Sequence, residues 1–169
     1  KKEARRETYS KTGKMFPALN ADDIQSIRIN NQWENVQLVK EKDTWIIENS
    51  RKFPADSSLV KKIVDSLSSM EYVSIASNKK DSYPSFELSE DSDQSASVSF
   101  MGPKKEETTL FIGKSGPGFN SNYVRKNGDD KVYLTNEYIS SIFNRGGRSW
   151  RDLKIQSFPE AEVSEIHLK

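Results

Sequence analysis

Two rhythms of apolar residues run along this chain, one of period two and one near 3.6, and each marks a different kind of element. The period-two rhythm opens in "MFPALNADDIQSIRI" (15–29), where Ile27 and Ile29 share a strand face behind a Pro and an Asp pair. It continues through "VQLVKEKDTWIIE" as two strands about a charged turn, with Val36 and Leu38 before the turn and Trp45 to Ile47 after it. The helical rhythm is clearest in "PADSSLVKKIVDSLSSMEY". There Leu59, Val60, Ile63, Val64, Leu67 and Met70 fall on one face, with Lys61, Lys62 and Ser66 pointing away. Asp56 is placed to cap this helix, since its carboxylate can accept from the unpaired N–H groups of the first turn.

A short strand follows at Tyr72 to Ala76. The stretch after it, "SNKKDSYPSFELSEDSDQS", is polar and Ser-rich, with Phe86 and Leu88 as its only anchors to a core. Alternation returns at Ala96, Val98 and Phe100, turns at "MGPK", and resumes at Leu110 and Ile112, which predicts a hairpin. "GKSGPGFNSN" is a loop. "NYVRKNGDDKVYLT" is then a second hairpin: Tyr123 to Lys126 and Lys131 to Leu134 as strands, with Asn127-Gly128 supplying the positive φ angles of a tight turn. Asp129 and Asp130 are expected to keep the tip in water while the tyrosines brace the strands. "NEYISSIFNRGG" predicts a short second helix with Tyr138, Ile139, Ile142 and Phe143 on one face, Thr135 or Asn136 as its cap and Gly146 as its stop.

The sum is an α+β domain, an antiparallel sheet of hairpins carrying one long and one short amphipathic helix. Residues 1–14 have neither rhythm and read as a flexible tether; 15–156 form the domain. Residues 157–169 are a final strand or the start of a second repeat, because Phe158, Pro159, Val163, Ile166 and Leu168 echo Phe16, Pro17, Ile24, Ile27 and Ile29.

Composition narrows the function classes. At 169 residues and 34% hydrophobic, the chain is lean but rich enough in aromatics for one core. A net charge of +1 from 26 basic and 25 acidic residues gives no basic stripe, so a nucleic-acid partner is not expected. No apolar run approaches the ~20 residues of a membrane span. The chain has no Cys, which removes disulfides, thiolate catalysis and Cys-ligated metals. It begins KKEARRETYSK without an initiator Met, so its natural N-terminus is expected upstream.

Four motifs suggest chemistry, and each lacks a required part. Gly113-Lys114-Ser115 resembles the end of a phosphate-binding loop, but Thr108 stands where its first Gly belongs, and Gly116-Pro117-Gly118 follow where a helix must start. Asp91, Asp93 and Ser95 begin like a calcium loop, with Ala96 in place of its Gly and Gly102 in place of its bidentate Glu. His167, the single His, has no nucleophile and orienting carboxylate beside it. The pairs Asp22–Asp23 and Asp129–Asp130 sit on turns that point adjacent carboxylates apart. No catalytic residue, cofactor or metal is therefore expected. Two surface features remain as candidate contacts for a partner or ligand: Phe119 in "GPGFNSNY", with Tyr123 after it, and Trp150 with Arg148 in "NRGGRSWRD".

Taken in order, "FP" at 16–17 with the strand to Ile29, "DTWII" (43–47), "FPADSSLVKKIVDSLSSM" (53–70), "TLFIGKS" (109–115), "YVRKNGDDKVYL" (123–134) and "SWRDLKI" (149–155) resemble the bacterial domain of unknown function 4340 (DUF4340). The chain departs from that family in "YPSFELSED", where members tend to carry a Gly-Leu-x-x-Pro turn. The resemblance implies an N-terminal membrane anchor, with KKEARRE as the linker after its removal. It also implies an extracytoplasmic α+β body, often repeated, and association with ABC-type export or gliding-motility-like auxiliary systems. Basic residues beside an anchor favour the cytoplasmic side, which runs against this placement. The resemblance carries over no catalytic residues. The leading expectation is a non-catalytic interaction module that docks an envelope or transporter-associated protein. The alternative is a small-ligand or glycan-binding domain using Phe119, Tyr123 and Trp150.

Overall fold

The structure is a computed structural model that describes residues 12–48, 52–90, 92, 95–101 and 106–153. Ten strands form one sheet: β1 (Gly13–Lys14), β2 (Ser26–Asn30), β3 (Asn35–Glu41), β4 (Thr44–Ile47), β5 (Phe53–Pro54), β6 (Glu71–Ser77), β7 (Ala96–Met101), β8 (Glu107–Ser115), β9 (Asn122–Lys126) and β10 (Val132–Thr135). Their order across the sheet is β1-β6-β10-β9-β8-β7-β2-β3-β4-β5, and every described pairing is antiparallel. Two meanders, β2 to β5 and β7 to β10, are thus joined edge to edge through β2 and β7. Helix α1 (Ser57–Ser69) leads from β5 at one edge to β6 beside the other. Gly13 and Lys14, expected in the tether, pair with Tyr72 and Glu71.

Alternation decides which face is which. Ile27, Ile29, Val36, Leu38, Val98, Phe100, Leu110, Ile112 and Val124 are buried, as their period-two spacing predicts. The six apolar residues of the α1 stripe are buried with them in a single cluster. At roughly 1.5–3 kcal/mol for each large side chain removed from water, this stripe is what holds α1 on the sheet. Asp56 caps it as expected: one carboxylate oxygen accepts from Ser58 N at 2.9 Å and Leu59 N at 3.1 Å. Ser66, expected to face water, is buried.

The second helix is shorter than its apolar spacing suggests. Only Ser140–Phe143 (α2) is helical, and Tyr138 is exposed while Ile139 and Phe143 are buried. Neither Thr135 nor Asn136 caps it. Asn122, buried on β9, accepts from Ile139 N at 2.9 Å and Ser140 N at 3.1 Å through its side-chain oxygen. The cap comes from a neighbouring strand, a tertiary contact that no local motif announces. Gly146 has extended backbone and does not stop the helix; Gly147 is the one with positive φ. The echo at 157–169, with His167, lies outside the described residues.

The cap gives a first test. Hydrogen bonds from the Ser58 hydroxyl and the Leu59 N–H, opposed by partial burial, hold the Asp56 carboxyl below its usual value. Its stabilisation is therefore present above the unfolded carboxylate pKa and lost as pH falls through the lower folded value. Asp56→Ala should cost about 1 kcal/mol at pH 7. In urea unfolding at a series of pH values, the gap to the parent should close toward strongly acidic pH.

Candidate functional site

The hairpin of β9 and β10 turns through Asn127-Gly128, closed by Asp129 N donating to Lys126 O at 3.3 Å, but only Gly128 has the positive φ expected of both, at 75°, and the second strand starts at Val132, one residue later than its spacing predicts. Its tip is more than a solvated turn. Asp129 accepts from Lys131 N at 3.1 Å and from the Tyr133 hydroxyl, and its backbone carbonyl accepts from the Tyr83 hydroxyl at 3.0 Å. Burial pushes its carboxyl up, but the Tyr133 and Lys131 hydrogen bonds and the nearby lysine charges outweigh this and hold it below the usual range. Burial and the Asp129 carboxylate together push the Tyr133 hydroxyl well up. Asp130 is the solvated member of the pair, exposed and 3.2 Å from Lys80.

Beside this tip, Arg125 is 4% exposed. Its guanidinium lies 3.6 Å from the Phe111 ring centroid and 4.6 Å from that of Tyr83, and its Nε donates to Leu88 O at 2.8 Å. Tyr83 belongs to a 3₁₀ segment, Lys80–Phe86, which packs on the sheet face opposite α1. Phe86 packs on Tyr123 with ring centroids 4.6 Å apart and planes tilted by 49°, and Leu88 is buried. The Ser-rich stretch of weak pattern is thus fastened by an arginine between two rings. Gly113 makes the approach feasible, because a Cβ there would meet Phe86 O at 2.1 Å. The Gly of the "GKS" motif serves close packing inside strand β8, not a phosphate.

Phe119 is the most exposed large apolar side chain among the described residues, at 80%. Its φ of 59° is left-handed, a conformation that costs a residue with a Cβ about 1 kcal/mol. With the exposed Tyr138 it borders a shallow hollow that also includes Lys114 and Glu87. The other sequence candidates lie apart from it. Tyr123 is half-buried under Phe86. Trp150 is 2% exposed, in the core next to the start of α1, where its carbonyl accepts from Asp56 N at 3.0 Å. Arg148 is exposed on a different hollow beside Asp56. Arg151 lies over the Phe53 ring, 4.0 Å from its centroid.

Of the remaining motifs, Asp23 closes a turn by accepting from Asn20 N at 3.1 Å. Asp91 and Asp93 lie outside the described residues. No group of three or more metal-ligating side chains occurs among the described residues. No helix among them is long and apolar enough to cross a membrane. Sequence reasoning passed over Trp33, which is 66% exposed in the loop between β2 and β3. The signal was its position: an indole in "NNQWEN", between two strands whose alternation was plain.

A family model described as "Domain of unknown function (DUF4340)" covers residues 45–169. No curated protein and no solved structure matches the chain.

The arginine clamp and the hairpin tip each yield an expected outcome. Arg125→Ala and Gly113→Ala should each destabilise by about 2–3 kcal/mol, one by removing the stacked cation and the other by overpacking. Both should speed hydrogen exchange at the Glu87 and Leu88 amides before the rest of the sheet. Asp129→Ala should cost about 1–3 kcal/mol by leaving the Tyr133 hydroxyl and Lys131 N–H without their acceptor. Asp130→Ala should stay within ~0.5 kcal/mol in the same denaturant titration.

Proposed function

The chain belongs to the DUF4340 family, and on that basis we propose that it is a non-catalytic, extracytoplasmic interaction module of a membrane-anchored envelope protein, docking its partner through Phe119. The single observation that carries the docking site is the conformation of that residue. An exposed phenyl ring gains nothing from burial, and left-handed backbone at a residue with a Cβ costs stability as well. Both costs fall in the free domain. A partner that covers the ring offsets them, which is the pattern of an aromatic anchor at an interface.

The surroundings fit such a role. Tyr138 supplies a second amphipathic ring, while Lys114 and Glu87 place one charge of each sign at the edge of the hollow. Apolar anchors within a polar rim are the common anatomy of protein interfaces. The location rests on the family resemblance, in which KKEARRE follows an anchor and the body faces away from the cytoplasm. The partner class proposed is an envelope or transporter-associated protein, auxiliary to an ABC-type or gliding-motility-like system.

A photo-crosslinking amino acid in place of Tyr138, in the full-length anchored protein in its native cell, tests this reading. An envelope protein should be recovered as a discrete adduct. Recovering no protein adduct at this surface-exposed position would overturn the docking proposal. Adding Phe119→Gly to the same protein should suppress the adduct and leave thermal stability unchanged or raised by up to about 1 kcal/mol, since glycine relieves the left-handed strain.

A further inference from the structure

We propose that Asn127 is a site of spontaneous covalent modification, converting to aspartate and isoaspartate, and that the isoaspartate form releases the Lys80–Phe86 segment from the sheet. Of the eleven asparagines in the chain, Asn127 alone precedes a glycine. The reaction needs a side-chain amide free to swing onto the next peptide nitrogen. That nitrogen must be neither shielded by a β-carbon nor held by an acceptor, and glycine meets the first condition. Both parts are present at this turn. Asn127 and Gly128 are exposed, and a Cβ built on Gly128 meets nothing within 4 Å. Asn127 N donates to Thr109 O at 2.8 Å and Asp129 N to Lys126 O at 3.3 Å. Between these two bonds, the Gly128 N–H and the Asn127 side chain make no hydrogen bond among the described residues.

The chemistry requires only hydroxide and water. Hydroxide takes the Gly128 amide proton, and the nitrogen attacks Asn127 Cγ. The N–Cγ bond forms, the Cγ–Nδ2 bond breaks, and Nδ2 leaves as ammonia after taking a proton from water. The five-membered imide then adds water at one of its two carbonyls. Cleavage at Cγ gives aspartate on an unchanged backbone. Cleavage at the Asn127 backbone carbonyl gives isoaspartate, in which the chain runs through Cγ and is one carbon longer. The fold denies this route to other asparagines. Asn122 is buried, its nitrogen donating to Gly113 O at 3.1 Å and Ser140 Oγ at 2.7 Å, and its oxygen accepting from Ile139 N and Ser140 N. Asn31 is held in the same way, donating to Phe143 O and Arg145 O.

The lengthened backbone falls where the hairpin is tied to the segment across from it. The Asp129 carbonyl accepts from the Tyr83 hydroxyl at 3.0 Å, and the Asp130 carboxylate stands 3.2 Å from Lys80 Nζ. Both residues follow Gly128 directly, and the Asp129 N–Lys126 O bond sets their position. An extra carbon before Gly128 breaks that closure, so both ties to the Lys80–Phe86 segment are lost together. Tyr83 is also one of the two rings over Arg125, and its release loosens the clamp that fastens Leu88. Conversion to aspartate is milder. It adds a charge at a tip that already carries Lys126 and Lys131, and it leaves the backbone as it was.

The test is incubation of the whole chain, native and urea-unfolded, at mildly alkaline pH. Peptide mapping by mass spectrometry then follows each asparagine, with chromatographic separation of the aspartate and isoaspartate products. In the native chain Asn127 should convert at least about tenfold faster than the exposed Asn120, which precedes Ser121; that ratio is a barrier difference of about 1.4 kcal/mol. Its rate should rise with pH, because the attacking nitrogen must lose its proton. In the isoaspartate fraction, the Glu87 and Leu88 amides should exchange hydrogen at least about fivefold faster than in the parent, the loss of one net hydrogen bond. Asn127→Asp, with the same charge on an unlengthened backbone, should exchange as the parent does. Conversion in urea but, in the native chain, no faster than at Asn120 would overturn the proposal. So would an isoaspartate fraction that exchanges like the parent, or an Asn127→Asp chain that exchanges like the isoaspartate fraction.

Discussion

Arg125 is the only charged side chain among the described residues to be taken almost wholly out of water, and the architecture outside the core is arranged around it. Desolvating a guanidinium is costly unless its face and its N–H groups are both satisfied. Phe111 and Tyr83 take the faces, the Leu88 carbonyl takes the Nε–H, and the Glu90 carboxylate stands 3.5 Å from the remaining side. Each partner except Phe111 comes from the 83–90 segment. That segment has too few apolar residues to bury itself, so the clamp does what a hydrophobic stripe does for α1. One face of the sheet is closed by greasy packing and part of the other by a stacked cation.

This difference explains what was legible in the sequence. Closure by apolar stripe leaves a period, and β2, β3, β4, β7, β8 and α1 were all readable from theirs. Closure by a clamp leaves none: Arg125 looks like one more cation at a hairpin tip, and Tyr83 like one more residue in a polar loop. The cap on α2 was hidden for the same reason, since Asn122 reaches Ile139 through the fold and not along the chain. Gly113 was visible but misleading, because the residue that needs its missing Cβ lies far away in sequence. The candidate aromatics split along the same line. Phe119 was found because glycines and a proline mark its loop, whereas the burial of Trp150 depends on how its neighbours pack against α1.

Phe119 sits on a strained loop between β8 and β9, where an anchor can be presented at a local cost in stability.

The joining of β2 to β7 has a consequence for how the chain reaches its native state. Strands β2 to β5 form a local meander that can assemble as soon as it is made, but the inner edge of β2 then waits for a partner about 70 residues further on, a delay of several seconds at ribosomal rates of synthesis. Until β7 arrives, β2 presents an unpaired row of N–H and C=O groups flanked by Ile27 and Ile29, the kind of edge that pairs with whatever strand is nearest. Non-local pairing of this sort is also slow to form because a long loop must close first. The pairing that unites the two halves of the native sheet is therefore the step at which a newborn chain is most exposed to pairing with its neighbours.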